Sequence, residues 1–280
     1  MLPLKDENPT HHRIIVTWLL IALNVLVFVW PQGANDPQRV NASEFSLRWA
    51  AIPCEVVTGD GLTAPEIELT FSGRTDTACD LDPRGAEAFP DKPVRLATLF
   101  SMFMHAGWLH LGGNLLFLWI FGNNVEDHLG PVFYAIFYLA GGFAATAAHI
   151  AIEPDSTIPV VGASGAVAAV MGAYAVWFPD APIRTLIIIF LWDIKAKWWL
   201  GFWFLSQFFI GADSGVAWAA HVGGFVFGVI IGLMVRMSPR SQRTVFTDPY
   251  QPPPPTGPPI VWDRTGGAGP GPYPQRQRMF

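Results

Sequence analysis

The chain has 280 residues, of which 51% are hydrophobic and only 14% charged, against roughly 25% charged in an ordinary soluble domain; a water-soluble globule of this composition is excluded. Its 17 basic and 22 acidic residues give a net charge of -5, and no Lys/Arg-dense block offers the phosphate-binding footprint of a nucleic-acid protein. Two cysteines are too few for a disulfide scaffold or a four-thiolate metal site and allow one bridge at most.

A membrane-crossing helix needs about 20 predominantly apolar residues, and six runs approach that length. They cover residues 14–30, 98–121, 132–152, 160–178, 197–210 and 216–237. The second run contains His105 and a Gly-Trp turn signal near its start. The fourth stops at Pro179-Asp180-Ala181-Pro182, where proline removes a helix donor and clashes with the preceding turn. The fifth is short for a span. Between them, residues 183–192 form an apolar run too short to cross, read as interfacial. The first run has no small-x-small cleavage pattern after it, so it reads as a retained anchor rather than a signal peptide.

If the six spans alternate, Lys5, Arg13, Arg184, Lys195, Lys197, Arg236, Arg240 and Arg243 fall on one side, which predicts that both termini are cytoplasmic. Residues 1–13 are then a cytoplasmic N-terminal segment ahead of a six-span unit at 14–237. The long loop at 31–97 faces outward, where Cys54 and Cys79 meet an oxidising compartment that permits a single bridge, two free thiols being the alternative. The tail at 238–280 is rich in Pro and Gly, a composition that cannot bury a core, and is expected to be disordered. The fold class is an all-α, polytopic membrane protein.

Polar residues inside a span are costly and tend to be functional. Ser164 lies in Val161-Gly162-Ala163-Ser164-Gly165 at the outer start of the fourth span. Flanking glycines let backbone and substrate approach closely, and the following helix points its amides and positive dipole end at the same spot. A bare G-x-S-G is also compatible with a helix cap or a small packing residue. His221 occupies a similar depth in the sixth span, and positions 221, 224, 228 and 232 share one helix face. Beyond His221, the glycines Gly224, Gly228 and Gly232 make that face small. The fourth span offers a matching face in Ser164, Ala168 and Gly172, so serine and imidazole can meet.

In the second span His110 and Asn114 are four apart and face one way, whereas His105 and His110 diverge. Zinc helices favour ligands four apart, so no metal site and no cofactor is expected. His110 and Asn114 suit donors aimed at a developing negative charge, with a structural helix-to-helix hydrogen bond as the plain alternative. His105 reads as a buttress of the helix entrance. His149 reads as structural, and His11, His12 and His128 as solvated.

These residues together resemble the rhomboid family of intramembrane serine proteases: H-x-x-x-x-H-x-x-x-N at His105, His110 and Asn114, G-x-S-G at Gly162 to Gly165, and A-H-x-x-G at Ala220 to Gly224. The stretch 121–130 is similar to the bacterial branch. The resemblance covers about residues 14–237 and implies a six-helix rhomboid-like bundle. It implies Ser164 as nucleophile, His221 as general base, and an oxyanion site of His110, Asn114 and the Ser164 amide. Gly162, Gly165, Gly224, Gly228 and His105 become supporting positions. Two departures stand out. The position four after Ser164, often a bulky aromatic stacked on the histidine in this family, is Ala168 here and leaves the support of His221 open. The outer loop is long and carries the cysteine pair.

The resulting expectation is a serine endopeptidase of the cell membrane that cuts the transmembrane segments of single-span proteins near their outer face. No Asp or Glu lies within the spans beside these motifs to orient the imidazole, so a Ser-His dyad is the economical assignment. The partners implied are such substrates and the lipid bilayer, with no nucleic acid. The alternative is a non-catalytic rhomboid-like protein that binds membrane clients. A transporter predicts charged or proline-broken midplane helices, which these spans lack.

Overall fold

A computed structural model describes residues 1–33, 42–79, 81, 85–210, 215–237, 260–262 and 268–270. The first apolar run becomes α1 (Val16–Val29), and a distant carboxylate starts it. Glu126 accepts hydrogen bonds from the amides of Ile15, Val16 and Thr17 at 2.8, 2.8 and 2.7 Å. The opening amides of a helix lack intrahelical partners and carry its positive dipole end, so an anion there answers both needs. Asp127 takes the amides of His11 and His12 in the same way.

The outer segment folds into α2 (Ala42–Trp49), α3 (Pro53–Thr58) and α4 (Ala64–Phe71), followed by α5 (Val94–Ser101). A reciprocal capping box between Thr63 and Glu66 starts α4. Cys54 and Cys79 are joined in a disulfide. Beside it Glu55 and Lys92 form a buried ion pair; burial pushes the Glu55 carboxyl up and the Lys92 amine down, each opposed by its partner. This segment is fastened to residues 156–162. The Cys54 amide donates to Ser156 O at 3.0 Å, Thr157 N to Asp76 O at 2.8 Å, and Val160 N to Ala51 O at 2.8 Å. Ser101 ties the two sides together. Its hydroxyl accepts the Ala51 amide at 2.6 Å and its carbonyl accepts the Gly162 amide at 2.9 Å.

The second apolar run is two helices rather than one, since α6 (Trp108–Leu129) begins only after a non-helical stretch that contains His105. Gln32 is the reason. Its side chain donates to the His105 carbonyl and accepts the His105 amide, taking backbone groups that a continuous helix would use. The third run is α7 (Pro131–Ile152). The fourth turns helical only at Ser164, as α8 (Ser164–Trp177), because the Val160 and Gly162 amides are already bonded to Ala51 and Ser101. The fifth is α9 (Ala196–Ser206) with a 3-10 turn at Gln207–Phe209, and the sixth is α10 (Trp218–Met237). Among the described residues, α7 and α10 are long and apolar enough to cross a bilayer, and α1 and α8 are shorter apolar helices.

The molecule is mostly helical but not all-α. β1 (Leu2–Asp6), β2 (Pro182–Ile187) and β3 (Phe190–Lys195) form an antiparallel sheet in that order, with Leu2 opposite Leu186 and Asp6 opposite Ile183. The run read as an interfacial segment at 183–192 is therefore a hairpin, because a short apolar run fits strand and helix equally well. Asp6 is buried under this sheet, where Tyr174 donates to its carboxylate at 2.9 Å and the Asn124 amide donates to the same oxygen. Of the tail at 238–280, the described part is two short paired strands, β4 (Ile260–Trp262) and β5 (Ala268–Pro270). The expectation of disorder for the rest lies outside the described residues, as do 34–41 of the outer loop.

The core centres on α8, with Leu118 and Phe121 of α6, Tyr134 and Tyr138 of α7, Leu200 of α9 and Phe225 of α10 around it. α8 and α10 touch backbone to backbone. A Cβ on Gly224 would overlap the Gly165 carbonyl oxygen, one on Gly228 that of Ala169, and one on Gly172 that of Phe225. The small faces meet as their spacing predicts, but the α8 side is built from Gly165, Ala169 and Gly172 rather than from Ser164, Ala168 and Gly172.

Candidate active site

Close packing of α8 on α10 sets the central contact. Ser164 is the first residue of α8, and its Oγ lies 2.8 Å from Nε2 of His221 on the first turn of α10. Both side chains are half-buried. The other imidazole nitrogen, Nδ1, lies 2.8 Å from Oε1 of Gln207. An amide oxygen only accepts, so Nδ1 carries the proton and Nε2 is left to accept from the serine hydroxyl. That is the tautomer a general base needs.

His110 approaches from α6. Its Nδ1 accepts the Ala106 amide at 3.4 Å, which leaves its Nε2 as the donor. Gly162, with φ of +127°, is the reason this donor can come near Ser164. A Cβ there would sit 2.7 Å from His110 Cε1, 2.8 Å from His110 Nε2 and 3.5 Å from Ser164 Oγ, and a positive φ of this size suits glycine alone. Asn114, one turn further along α6, is buried and its Nδ2 has no hydrogen-bond partner. An unspent buried donor is costly in a resting structure. It is well suited to a charge that forms only during reaction.

His105 is fully buried in the stretch before α6, its ring 5.2 Å from that of His110 and 6.3 Å from Phe28. It packs against the entrance of α6, as read from sequence. Gly165 fits against α7, where a Cβ would fall 2.5 Å from the Ala145 Cβ. His149 is buried on α7 with Glu153 Oε2 3.9 Å away. His128 departs from its solvated reading: it is half-buried and lies on Trp177, ring centres 4.3 Å apart, because the end of α6 packs beside the end of α8. His12 is exposed and pairs with Asp127 at 2.7 Å.

Two residues of the site were not anticipated. Gln207 and Trp203 come from the α9 end, and the Trp203 ring lies 5.9 Å from His221 at an interplanar angle of 38°. Gln207 had a visible signal, since it is a polar residue inside an apolar run, but its partner is on another helix.

Comparison with known proteins identifies the family. A Rhomboid domain matches residues 91–238, just over half of the chain. Rhomboid protein 1, mitochondrial, of Saccharomyces cerevisiae is 28% identical over 53% of this chain and 44% of its own length. Rhomboid-type serine protease 2 of Emericella nidulans is 24% identical over 60% of this chain and 35% of its own. Inactive rhomboid protein 1 of Drosophila melanogaster is 28% identical over 58% of this chain and 11% of its own. The chain thus spans less than half the length of each of these relatives. Ser164, His221, His110 and Asn114 all fall inside the matched domain, and the chain belongs to the rhomboid family.

Proposed function

We propose that the protein is an intramembrane serine endopeptidase that cuts single-span membrane proteins close to the outer face of the cell membrane. The observation that carries this reading is the 2.8 Å contact between Ser164 Oγ and His221 Nε2, with the imidazole in the proton-accepting tautomer. In the reaction His221 takes the serine proton during attack and returns it to the leaving amine. The oxyanion is held by His110, the free Nδ2 of Asn114 and the Ser164 amide at the head of α8. No metal or cofactor enters.

The proposed topology has six spans, α1, α6, α7, α8, α9 and α10, with both termini cytoplasmic. Lys5, Arg184 and Lys195 lie on one sheet, and Arg236 donates to Val176 O at the far end of α8 from Ser164; this grouping of cations supports that side as cytoplasmic. The disulfide belongs to the other face. α8 has 14 residues, about 21 Å at about 1.5 Å per residue, against about 30 Å of hydrocarbon. Ser164 at its head therefore lies below the outer boundary, and the scissile bond must reach that depth. A helical peptide bond has its carbonyl engaged, so the substrate unwinds before attack, and a Gly or Pro near the cut lowers that cost. The small residues around Ser164 suit a small residue before the cut.

Labelling purified protein with a serine-directed phosphonate, wild type beside Ser164→Ala, tests the reading. Label on the wild type alone, with cleavage of a single-span substrate lost in Ser164→Ala and His221→Ala, is the expected result. Absence of label and cleavage in the folded wild type favours the second reading, a non-catalytic client-binding protein; one relative is named as inactive.

A further inference from the structure

We infer that Gln207 is a positioning residue for the histidine, a neutral third member behind the Ser164 and His221 pair, and this inference rests on the reading of that pair as nucleophile and base. With Ala168 in α8, no aromatic from that helix stands behind His221. The support comes from α9 and its terminal turn. Gln207 is buried, and its amide is fixed in direction by its own helix end: Nε2 donates to the Trp203 carbonyl at 3.0 Å and to Ser206 Oγ at 3.2 Å. Both amide hydrogens are thereby used. The Oε1 atom has only one task left, to accept Nδ1–H of His221 at 2.8 Å. Ser206 adds rigidity, since its hydroxyl donates to the same Trp203 carbonyl at 2.6 Å. Trp203 covers the ring side, and it also lies against Phe225 of α10 at 6.0 Å.

A side chain that dictates which imidazole nitrogen holds the proton acts through the base without touching substrate. In serine hydrolases this is the work of a buried carboxylate. An amide oxygen does the orienting part of that work without stabilising the imidazolium by full charge. Moving α9 away from α10 would also move Gln207 off His221.

The test uses the full chain in detergent, with Gln207→Leu, which keeps size but removes the acceptor, and Gln207→Glu, which keeps the acceptor. Nitrogen-15 NMR of labelled histidine should find the Nδ1–H tautomer of His221 in the wild type and a mixture in Gln207→Leu, whatever the activity. Cleavage by Gln207→Leu should fall about 10-fold or more in kcat with KM unchanged. Gln207→Glu should restore kcat and move the acidic limb of the rate profile to higher pH, because a carboxylate favours the imidazolium. Unaltered kcat, tautomer and pH profile in folded Gln207→Leu overturns the assignment. A wild type with the Nδ1–H signature that neither labels nor cleaves overturns the protease reading instead and leaves the Gln207 contact standing.

Discussion

Gly228 of α10 lies against the carbonyl oxygen of Ala169 in α8, with no room for a side-chain carbon between them. Two helices this close hold Ser164 and His221 at bonding distance as a consequence of packing, about one and a half to two turns away from the reacting atoms. Gly228→Leu should therefore force the helices apart and abolish cleavage without altering either residue. Phosphonate labelling of Ser164 gives the readout. Wild-type labelling in Gly228→Leu would show that the small-face contact does not set the site.

Asn114 keeps an unused buried donor. Loss of one oxyanion donor typically lowers kcat about 100-fold to 1,000-fold, so Asn114→Ala should retain a residue of activity where Ser164→Ala retains none. Single-turnover cleavage with a fluorogenic single-span substrate separates the two. A rate equal to wild type removes Asn114 from the oxyanion site.

The disulfide joins residues 25 positions apart, and its Cys54 end is bonded to the chain leading to Ser164 through Ser156 O. Opening such a loop costs about 2–4 kcal/mol in the chain-entropy account. Reduction, or Cys54→Ser with Cys79→Ser, should lower the melting temperature and slow cleavage through the loosened 156–162 segment. Differential scanning fluorimetry with and without reductant, beside an alkylation assay, measures it. An unchanged melting temperature after verified reduction contradicts the prediction.

Asp6 gives a pH-dependent anchor. Burial raises its carboxyl from the ordinary range to about 7, with the Tyr174 hydrogen bond opposing and Lys5 and Glu7 as its charged neighbours. The folded value lies above the unfolded one, so its contribution to docking β1 is complete below about pH 4 and is lost as pH rises through about 7. Hydrogen exchange at Leu4 to Asp6, corrected for intrinsic rates, should show protection falling by up to about tenfold per pH unit over that window. Asp6→Asn should flatten the profile. Protection that rises with pH in the wild type would reverse the sign and refute it.

Much of the site could be read from sequence because its geometry is local. The glycine spacing around His221 fixes one helix face, and the four-residue step from His110 to Asn114 fixes another; that these faces serve one site was implied by the family resemblance. The boundaries around the site were hidden by long-range contacts. Gln32 breaks the second apolar run at His105, and Ala51 and Ser101 hold residues 160–162 extended ahead of Ser164. Neither partner lies near the segment it shapes. The hairpin at 182–195 was missed for a different reason: its apolar run carries no period that separates strand from helix, and its third strand comes from residues 2–6. Gln207 shares the first difficulty, since its histidine is 14 positions away across a helix break.

Glu126 and the helix it starts have an implication for how the chain assembles. Thr17 and Glu126 are 109 positions apart, and Asp6 and Tyr174 are 168 apart. During synthesis α1 emerges long before its capping carboxylate, and β1 long before the strand and tyrosine that receive it. Contacts of such separation form late, because the intervening loop must be closed first. The amino-terminal segment can complete these contacts only after α6 and α8 have been made. Until then the start of α1 lacks its capping carboxylate and β1 lacks the strand it pairs with.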